Sequence, residues 1–439
     1  MQLPGLVGIF WGAMAQDGTG GWDEAQKFPE RAPIGSDVAA SSPEASLVLA
    51  ATGPTGALTL APADPYDSAP LPFDLVLMGA GLNVASRSIA RALFGWKRYP
   101  GKAQDICRAV IEDCWTGDFF AGSTGHFKQF WTRDLAMCTP ALCRMGFRDR
   151  VLQSWAFGLD RFARAGKITT TIFNRRFPRD VYAYACDSVP MTLFALRHVG
   201  ANELIVQHRE LLSREIQRFA DTVLDRQLGL ARTDGYFSGP RDCMTGRSTV
   251  FANTMIALLA RLLESEPLLP NPFGGIDARA NMLRHHWTGD FFRDSLCRQD
   301  PSGDGNIWPY FFEVFTDKDM RRRSFATLEA RGFTKPIPLR YFERRLPESE
   351  LPIPKMFTPN YQGDPSWMQL APVYLALLAD INRPQMLQHR DRMAQFIERD
   401  GNYLELYTPE GKPYKGRAMM YYADEGMIWA SMFLDLYDR

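Results

Sequence analysis

An apolar periodicity that continues from Lys102 to the C-terminus constrains this chain more than any other feature. Apolar residues recur at three- and four-residue spacing, which is typical of helices. Pro309 weakens the eighth of the resulting segments. The pattern predicts about twelve helices, near residues 102–115, 134–146, 150–165, 187–199, 203–225, 252–266, 275–289, 305–315, 318–332, 366–381, 384–400 and 425–438.

Alternate helices in this series differ in character. The even-numbered helices are apolar nearly all round, which predicts burial on every side. Each of them follows a polar segment that carries aromatic residues, here called a lead-in segment. The six lead-in segments are "FWTRDLA", "ACDSVP", "RDCMTGRSTVFAN", "SGDGNIWP", "YQGDPSW" and "YYADEGMIW". They recur at intervals of about 52 to 65 residues, which indicates a repeated helical hairpin.

Six hairpins that each contribute one buried and one amphipathic helix predict an all-α fold, the closed double ring known as the (α/α)6 barrel. All six lead-in segments then lie on one face, together with the positive ends of the buried helices, which suit carboxylates and hydroxyl groups. The hexapeptide WTGDFF occurs at Trp115–Phe120 and again at Trp287–Phe292, about three hairpins apart. The two copies are consistent with opposite walls of a shared pit, or with a helix-ending motif that has Gly at C′.

The first hundred residues lack this order. Residues Gly18 to Asp74 are rich in Ala, Gly, Pro and Ser, so residues 1–100 are expected to form an irregular extension ahead of a barrel at 101–439. The stretch "FDLVLMGAGLNVASRSIARAL" predicts a short strand, then Gly79-Ala80-Gly81, then a helix, as in a dinucleotide-binding unit. Val84 stands where the third glycine of that fingerprint belongs, so a nucleotide site is not expected.

Charge and cysteine usage restrict the partners and the compartment. Lys plus Arg and Asp plus Glu number 50 each, so no net charge attracts nucleic acid or a membrane. The seven cysteines are scattered in apolar helical pattern, which predicts buried thiols in the cytoplasm. The N-terminal run "MQLPGLVGIFWGAMAQ" ends like a signal peptide but lacks the basic region that would precede it. No CxxC pair or Cys/His ligand spacing is present, and the calcium-loop-like stretch "DPSGDGNIWPYFFE" has Phe311 where the closing Glu belongs. Neither a metal nor a cofactor is therefore expected, and the sequence leaves the oligomeric state open.

The lead-in segments supply the residue types that glycoside hydrolysis requires. One carboxylic acid protonates the leaving oxygen, and a second carboxylate activates water or attacks the anomeric carbon. Aromatic faces stack on a sugar ring, while Asp, Asn and Arg side chains bind its hydroxyl groups. The candidate carboxylates are Asp134, Asp187, Asp242, Asp304, Asp364, Glu405, Asp424 and Glu425.

Four stretches resemble known glycosidase families. "FWTRDLA" resembles the glucoamylase segment that holds the non-reducing sugar, and "QFWTRD" followed by "DSVPMTLFAL" is similar to alkaline/neutral invertases. "RDCMTGRSTVFANTMIALLARLL" resembles the segment that carries the general acid in glycogen-debranching and trehalase-like glucosidases. "NYLELYTPEGKPYKGRAMMYYADEGMIWAS" is similar to the final catalytic loop of six-hairpin glycosidases, which carries the general base. These matches cover roughly residues 102 to 439 in the same order.

The resemblance implies roles for particular residues. Asp242 would be the general acid and Glu405 the general base, although Asp134 competes with Asp242 for the role of acid. Opposed carboxylates about 6.5 to 9.5 Å apart would predict inversion at the anomeric carbon. Substrate contacts are expected from Trp131, Arg133, Asp134, Asp187, Arg241, Trp308 and Trp367.

Other interpretations of these residues stay open at this stage. Asp242 is also placed to cap the sixth helix or to pair with Arg241. Glu405 is also placed to lie in an exposed turn, and Asp134 is also placed to cap a helix. Each of the three tryptophans fits a core position as well as a pocket wall. Cys243 stands where the debranching and trehalase-like pattern has Trp, and the N-terminal β-sandwich of many relatives is either missing or reduced to the irregular first hundred residues.

The sequence therefore predicts a cytoplasmic glycoside hydrolase that removes an α-linked glucosyl residue from a small saccharide or a chain end, with inversion. A sugar epimerase or isomerase would use the same barrel, but such enzymes rely on paired histidines, and only His126 lies near a lead-in segment. A non-catalytic saccharide-binding barrel is the third interpretation.

Overall fold

Helices dominate residues 75–437, the part of the chain that the computed structural model describes. The segment from Gly18 to Asp74 and the signal-like N-terminal run lie outside the described residues. The helices described are α1 Leu75–Phe94, α2 Ala103–Cys114, α3 Thr132–Arg144, α4 Arg148–Ala165, α5 Ser188–Val199, α6 Asn202–Gln207, α7 Arg209–Val223, α8 Val250–Glu264, α9 Ala278–His286, α10 Trp308–Phe311, α11 Lys318–Ala330, α12 Pro352–Phe357, α13 Leu370–Ala379, α14 Arg383–Asp400 and α15 Ala430–Leu434. Short 3₁₀ helices lie at Asp304–Asn306, Arg417–Met419 and Asp435–Tyr437.

Burial separates the helices into two classes, as their sequences predict. In α8 every residue from Val250 to Leu259 is buried, so this helix is enclosed on all sides. In α14 the buried positions Met386, His389, Met393 and Ile397 form a single stripe at three- and four-residue spacing. We call α3, α5, α8, α10, α13 and α15 the inner helices, and α2, α4, α7, α9, α11 and α14 the outer helices.

Among the described residues the inner helices contact one another in a closed cycle. Helix α3 contacts α5, α5 contacts α8, α8 contacts α10, α10 contacts α13, α13 contacts α15, and α15 returns to α3. Outer helices pack on this cycle, with α4 against α3 and α5, α7 against α5 and α8, and α14 against α13. Each inner helix thereby has a helix on several sides, which explains why its surface is apolar all round.

Helices occupy all twelve predicted ranges, with differences at three of them. Helix α10 covers only Trp308–Phe311, because a 3₁₀ turn precedes it and Glu313 adopts a φ of +53°. The last helix covers Ala430–Leu434 before it narrows to a 3₁₀ turn. The predicted run 203–225 is divided into two helices at His208.

The prediction of a strand ahead of Gly79 was wrong. Residues 75–94 form one continuous helix, α1, which includes Gly79 and Gly81. This helix is held by its contacts near the last lead-in segment, because the backbone N–H of Tyr422 donates to Ser88 and Arg91 binds the carbonyl of Tyr422. Part of the region assigned to an irregular extension is therefore ordered helix.

The strands are short and join lead-in segments to their neighbours. An antiparallel sheet in the order β1-β2-β3 contains Phe130–Trp131, Thr171–Phe173 and Phe177–Arg179. Two further pairs are β4 Leu224–Asp225 with β5 Leu230–Ala231, and β6 Ser366–Trp367 with β7 Leu406–Tyr407. In the last pair Ser366 lies opposite Tyr407 and Trp367 opposite Leu406. This pairing brings the fifth lead-in segment next to Glu405.

The two WTGDFF copies form the same turn at the end of an outer helix. Helices α2 and α9 both end at the residue before the tryptophan. The tryptophan and the second phenylalanine form an isolated bridge in each copy, and their ring centroids are 5.0 Å apart in both. Gly117 and Gly289 have φ values of +92° and +105°. The contacts of each copy are those of a helix-ending turn, although the glycine lies one position beyond C′.

Cysteine burial agrees with the sequence pattern at most positions. Five cysteines are buried, Cys143 is half-buried, and Cys297 is exposed. Among the residues described, no helix is long and apolar enough to cross a membrane.

Candidate active site

Side-chain contacts connect all six lead-in segments. The first turn of α3 carries Arg133, which is 4% exposed. Its Nε lies 2.5 Å from Asp187 Oδ2 in the second segment, and its Nη1 lies 3.8 Å from Asp242 Oδ2 in the third. Burial raises the pKa of Asp187, although Arg133 opposes this shift. Arg133 therefore joins two carboxylates from different hairpins.

Two polar atoms of this group have no partner. Arg133 Nη2 and Asp187 Oδ1 are buried and make no hydrogen bond within the described residues. One is a donor and the other an acceptor. A buried polar atom without a partner carries a free-energy cost that a bound hydroxyl group can remove.

Asp242 is held at the junction of the third and fifth lead-in segments. Gln362 Nε2 donates to Asp242 Oδ1 at 3.0 Å, and the Cys243 thiol lies 3.5 Å from the same oxygen. The side chain of Asp242 is 15% exposed. Burial raises the pKa of Asp242, while Arg133, Gln362 and Cys243 oppose that shift.

Asp242 neither caps the following helix nor pairs with Arg241. Thr249, not Asp242, caps the following helix by accepting from the Ala252 N–H. Arg241 does not pair with Asp242, because its guanidinium binds Asp294 at 2.7 Å and Asp304 at 2.9 Å. Arg241 thus links the third lead-in segment to the fourth.

Glu405 is a buried carboxylate rather than an exposed turn residue. It is 1% exposed and directly precedes β7. The Tyr361 hydroxyl donates to it, the Tyr421 hydroxyl lies 2.7 Å from Oε2, and the Asp424 N–H donates to Oε2 at 2.9 Å. Burial raises the pKa of Glu405 to about 7, although these hydrogen bonds lower it. Near neutral pH Glu405 can therefore take up and release a proton.

Asp134 faces the sixth lead-in segment. It lies in the first turn of α3, whose N-cap is Trp131, so Asp134 does not cap the helix. The Trp429 indole N–H donates to Asp134 Oδ1 at 2.6 Å. Burial raises the pKa of Asp134 to about 6, against the lowering effects of Arg133 and the indole.

The expected tryptophans occupy different environments. Trp131 is half-buried and packs edge-on against Phe127. Trp308 is fully buried and stacks on Phe312 at 5.7 Å, a contact typical of the core. Trp367 is 4% exposed and packs against Tyr361 and Trp429, both of which contact site carboxylates.

Asp424 anchors the loop that supports Glu405. Its carboxylate accepts from Ser123, from the backbone N–H groups of His126 and Phe127, and from Arg91 of α1. Although burial disfavours its charge, Arg91, the Ser123 hydroxyl and the His126 backbone N–H lower the pKa of Asp424. Burial lowers the pKa of His126 to about 3, so this histidine is neutral near pH 7.

Sequence reasoning overlooked four residues that bind the carboxylates. These are Tyr361, Gln362, Tyr421 and Trp429, and all four lie within lead-in segments that the helical pattern identifies. Their position in lead-in segments could have marked them as candidate site residues, but their residue types alone did not. In the part of the chain that is described, no group of three or more His, Cys, Asp or Glu side chains is suited to hold a metal ion.

Solved structures share this fold at low sequence identity. A wild-type glycosidase superposes with a TM-score of 0.55 and 14% identity, covering 76% of this chain and 96% of its own. A rhamnosidase from Klebsiella oxytoca with rhamnose bound has a TM-score of 0.53 and 14% identity, covering 78% of this chain and 66% of its own. An uncharacterized conserved protein from Thermus thermophilus has a TM-score of 0.53 and 15% identity, covering 77% of this chain and 100% of its own. No profile of a known family and no curated protein matches the chain.

Proposed function

We propose that this protein is a glycoside hydrolase with Asp242 as its general acid and Glu405 as its general base. The observation that carries the proposal is the Tyr361-Gln362 dipeptide, whose two side chains bind the two carboxylates. Cys243 interacts electrostatically with both Asp242 and Glu405, which together with this dipeptide supports the convergence of the two carboxylates on one site. The fold shared with glycosidases supports the same proposal.

The reaction needs a proton on Asp242 and a charge on Glu405. Asp242 protonates the glycosidic oxygen as the bond to the anomeric carbon breaks, and Glu405 removes a proton from the attacking water. The raised pKa of Asp242 favours its acid form. The pKa of Glu405, about 7, leaves a substantial share of its carboxylate form at neutral pH.

The substrate would be an α-linked glucosyl residue at the end of a small saccharide or a chain. Arg133 Nη2 and Asp187 Oδ1 provide an unpaired donor and an unpaired acceptor that match sugar hydroxyl groups. Asp134 adds a third polar contact, and Trp131 and Trp367 add aromatic surface. The preference for glucose, the α linkage and the exo mode of attack follow from the resemblance of the lead-in segments to glucoamylases and invertases.

The closed cycle of inner helices supports an (α/α)6 barrel as the scaffold of this site. Inversion would follow if water enters between carboxylates about 6.5 to 9.5 Å apart. We further propose that residues 101–439 are the catalytic domain and that the protein acts in the cytoplasm without a metal or a cofactor.

Hydrolysis assays on a panel of α-glucosides, from disaccharides to aryl glucosides, test the function. Wild-type protein should release glucose from at least one substrate. Asp242→Asn and Glu405→Gln should each lower kcat by about 10² or more. Interconversion of a free sugar without cleavage would indicate an epimerase instead, and binding without any reaction would indicate a saccharide-binding protein.

A further inference from the structure

The Gln362 side-chain amide is fixed by three hydrogen bonds. Its Oε1 accepts from the Cys243 backbone N–H at 2.8 Å. Its Nε2 donates to the Pro240 carbonyl at 2.9 Å and to Asp242 Oδ1 at 3.0 Å. Gln362 is only 2% exposed, so water does not compete for these bonds.

The polarity of these bonds determines which end of the amide faces Asp242. A backbone N–H can only donate, so the atom of Gln362 that meets Cys243 must be the amide oxygen. A carbonyl can only accept, so the atom that meets Pro240 must be the amide nitrogen. Two independent backbone partners thus exclude the flipped orientation. The atom presented to Asp242 Oδ1 is a donor.

A donor at Oδ1 favours a proton on the other oxygen of Asp242. An oxygen that already accepts a hydrogen bond from an N–H has no room for a hydrogen of its own in that direction. The Cys243 thiol lies 3.5 Å from the same oxygen and can supply a second donor. The other oxygen, Oδ2, faces Arg133 Nη1 at 3.8 Å, beyond hydrogen-bond length.

We propose that Gln362 is a positioning residue that keeps the transferable proton of Asp242 on Oδ2, and this proposal rests on the hydrolase function proposed above. In the reaction the Oδ2–H bond breaks and the proton moves to the glycosidic oxygen. The electron pair of the broken C–O bond remains on that oxygen, and water supplies the new C–O bond after losing its proton to Glu405. The charge left on Oδ2 lies opposite Arg133, while Oδ1 keeps its bond to Gln362.

Several charged or titratable groups surround Asp242 and would contribute to its pH dependence. Arg133, Asp187 and Cys243 interact with it directly, and Tyr341 and Tyr182 are within electrostatic reach. Glu405 interacts electrostatically with Cys243. Uncharged Gln362 is closer to Oδ1, at 3.0 Å, than the Cys243 thiol, at 3.5 Å.

The substitution Gln362→Glu tests the proposal because it keeps the shape and removes the N–H donor. The new oxygen would attract the Asp242 proton onto Oδ1, away from the substrate. On glycosides with alcohol leaving groups, kcat should fall about 10²-fold or more with little change in KM. On an aryl glycoside whose phenolate leaves without a proton, the loss should be less than about tenfold. Equal losses on both substrates would overturn the proposal.

A second measurement does not depend on activity. In protein with ¹³C-labelled aspartate side chains, NMR follows the titration of Asp242, which Asp242→Asn identifies. Gln362→Glu, and Gln362→Met if the first variant does not fold, should move its midpoint to higher pH by about one unit or more. An unchanged midpoint would overturn the role of Gln362.

Gln369→Glu is the matched control. Gln369 is also buried, at 3% exposure, but accepts a bond from Tyr341 rather than contacting Asp242. The Gln369→Glu variant should leave the titration midpoint of Asp242 within about 0.3 pH units of the wild-type midpoint. A wild-type protein that hydrolyses no glycoside would contradict the proposed function, and the NMR titration would still decide the role of Gln362.

Discussion

Tyr361 and Gln362 are consecutive in the chain, yet their side chains bind different carboxylates. The Tyr361 hydroxyl donates to Glu405, and Gln362 Nε2 donates to Asp242 at 3.0 Å. The dipeptide belongs to the fifth lead-in segment, whereas Asp242 belongs to the third and Glu405 precedes the sixth. One short segment thus orients both groups that the proposed reaction requires.

Tyr361→Phe should make Glu405 harder to ionise. The Tyr361 hydroxyl stabilises the charged carboxylate, so its removal raises the Glu405 pKa above about 7. Because the base must be ionised, the acid limb of the kcat/KM profile should move to higher pH by about one unit. Tyr414→Phe is the control, since the Tyr414 hydroxyl donates to the Pro359 carbonyl. An acid limb that stays in place would contradict the role of Tyr361.

The raised pKa of Glu405 should reduce folding stability as pH rises. The folded state holds the proton up to about pH 7, whereas an unfolded glutamic acid has a pKa near 4.5. Stability is therefore lost progressively across that window and is lowest above it. Relative to wild type, Glu405→Gln should gain on the order of 3 kcal/mol in unfolding free energy between pH 4.5 and pH 8. Urea denaturation at both pH values measures this, and a pH-independent difference would contradict it.

Arg91 should connect helix α1 to both stability and turnover. Its side chain is 5% exposed and binds Asp424, whose backbone N–H holds Glu405. Arg91→Met leaves a buried charge without its partner, which should lower the unfolding free energy by about 3 kcal/mol and reduce kcat. The exposed Arg108→Met is the control and should change stability by less than about 0.5 kcal/mol. Equal effects from the two variants would contradict the account.

The two WTGDFF turns should respond alike to substitution. An added Cβ at Gly117 or Gly289 meets nothing within 4 Å, so only the positive φ opposes Ala. Each Gly→Ala change should lower the unfolding free energy by about 1–2 kcal/mol, and the double variant should lower it by the sum of the two effects. Gly79→Ala in α1 has equal space and helical backbone, so it should stabilise by about 0.5–1 kcal/mol. Chemical denaturation of the four variants provides the comparison.

Most of the helical architecture could be predicted because its cause is local. Three- and four-residue spacing follows directly from burial of one face, and all-round apolarity follows from burial on every side. The first part of helix α1, from Leu75 through Gly81, could not be predicted in this way. Gly79 and Gly81 each disfavour helix by about 1 kcal/mol, and contacts of Ser88 and Arg91 with a segment more than 300 residues away offset this cost.

The candidate site could be predicted only in part. Arg133, Asp187, Asp242 and Glu405 carry charges, and their lead-in segments resemble glycosidase motifs, so sequence alone nominates them. Gln362 has no intrinsic acid–base chemistry, and its role arises only from the carboxylate of the third lead-in segment that it contacts. Arg241 was expected from the sequence to contact substrate. Its guanidinium instead forms ion pairs with Asp294 and Asp304.

Proton NMR of the freshly released sugar tests the central claim, that Asp242 and Glu405 act together as acid and base on a glycosidic bond. With an α-glucoside as substrate, the account predicts that β-glucose appears first and then mutarotates, and that Asp242→Asn and Glu405→Gln each abolish most of this signal. Initial release of α-glucose, or release at the wild-type rate by either variant, would contradict it.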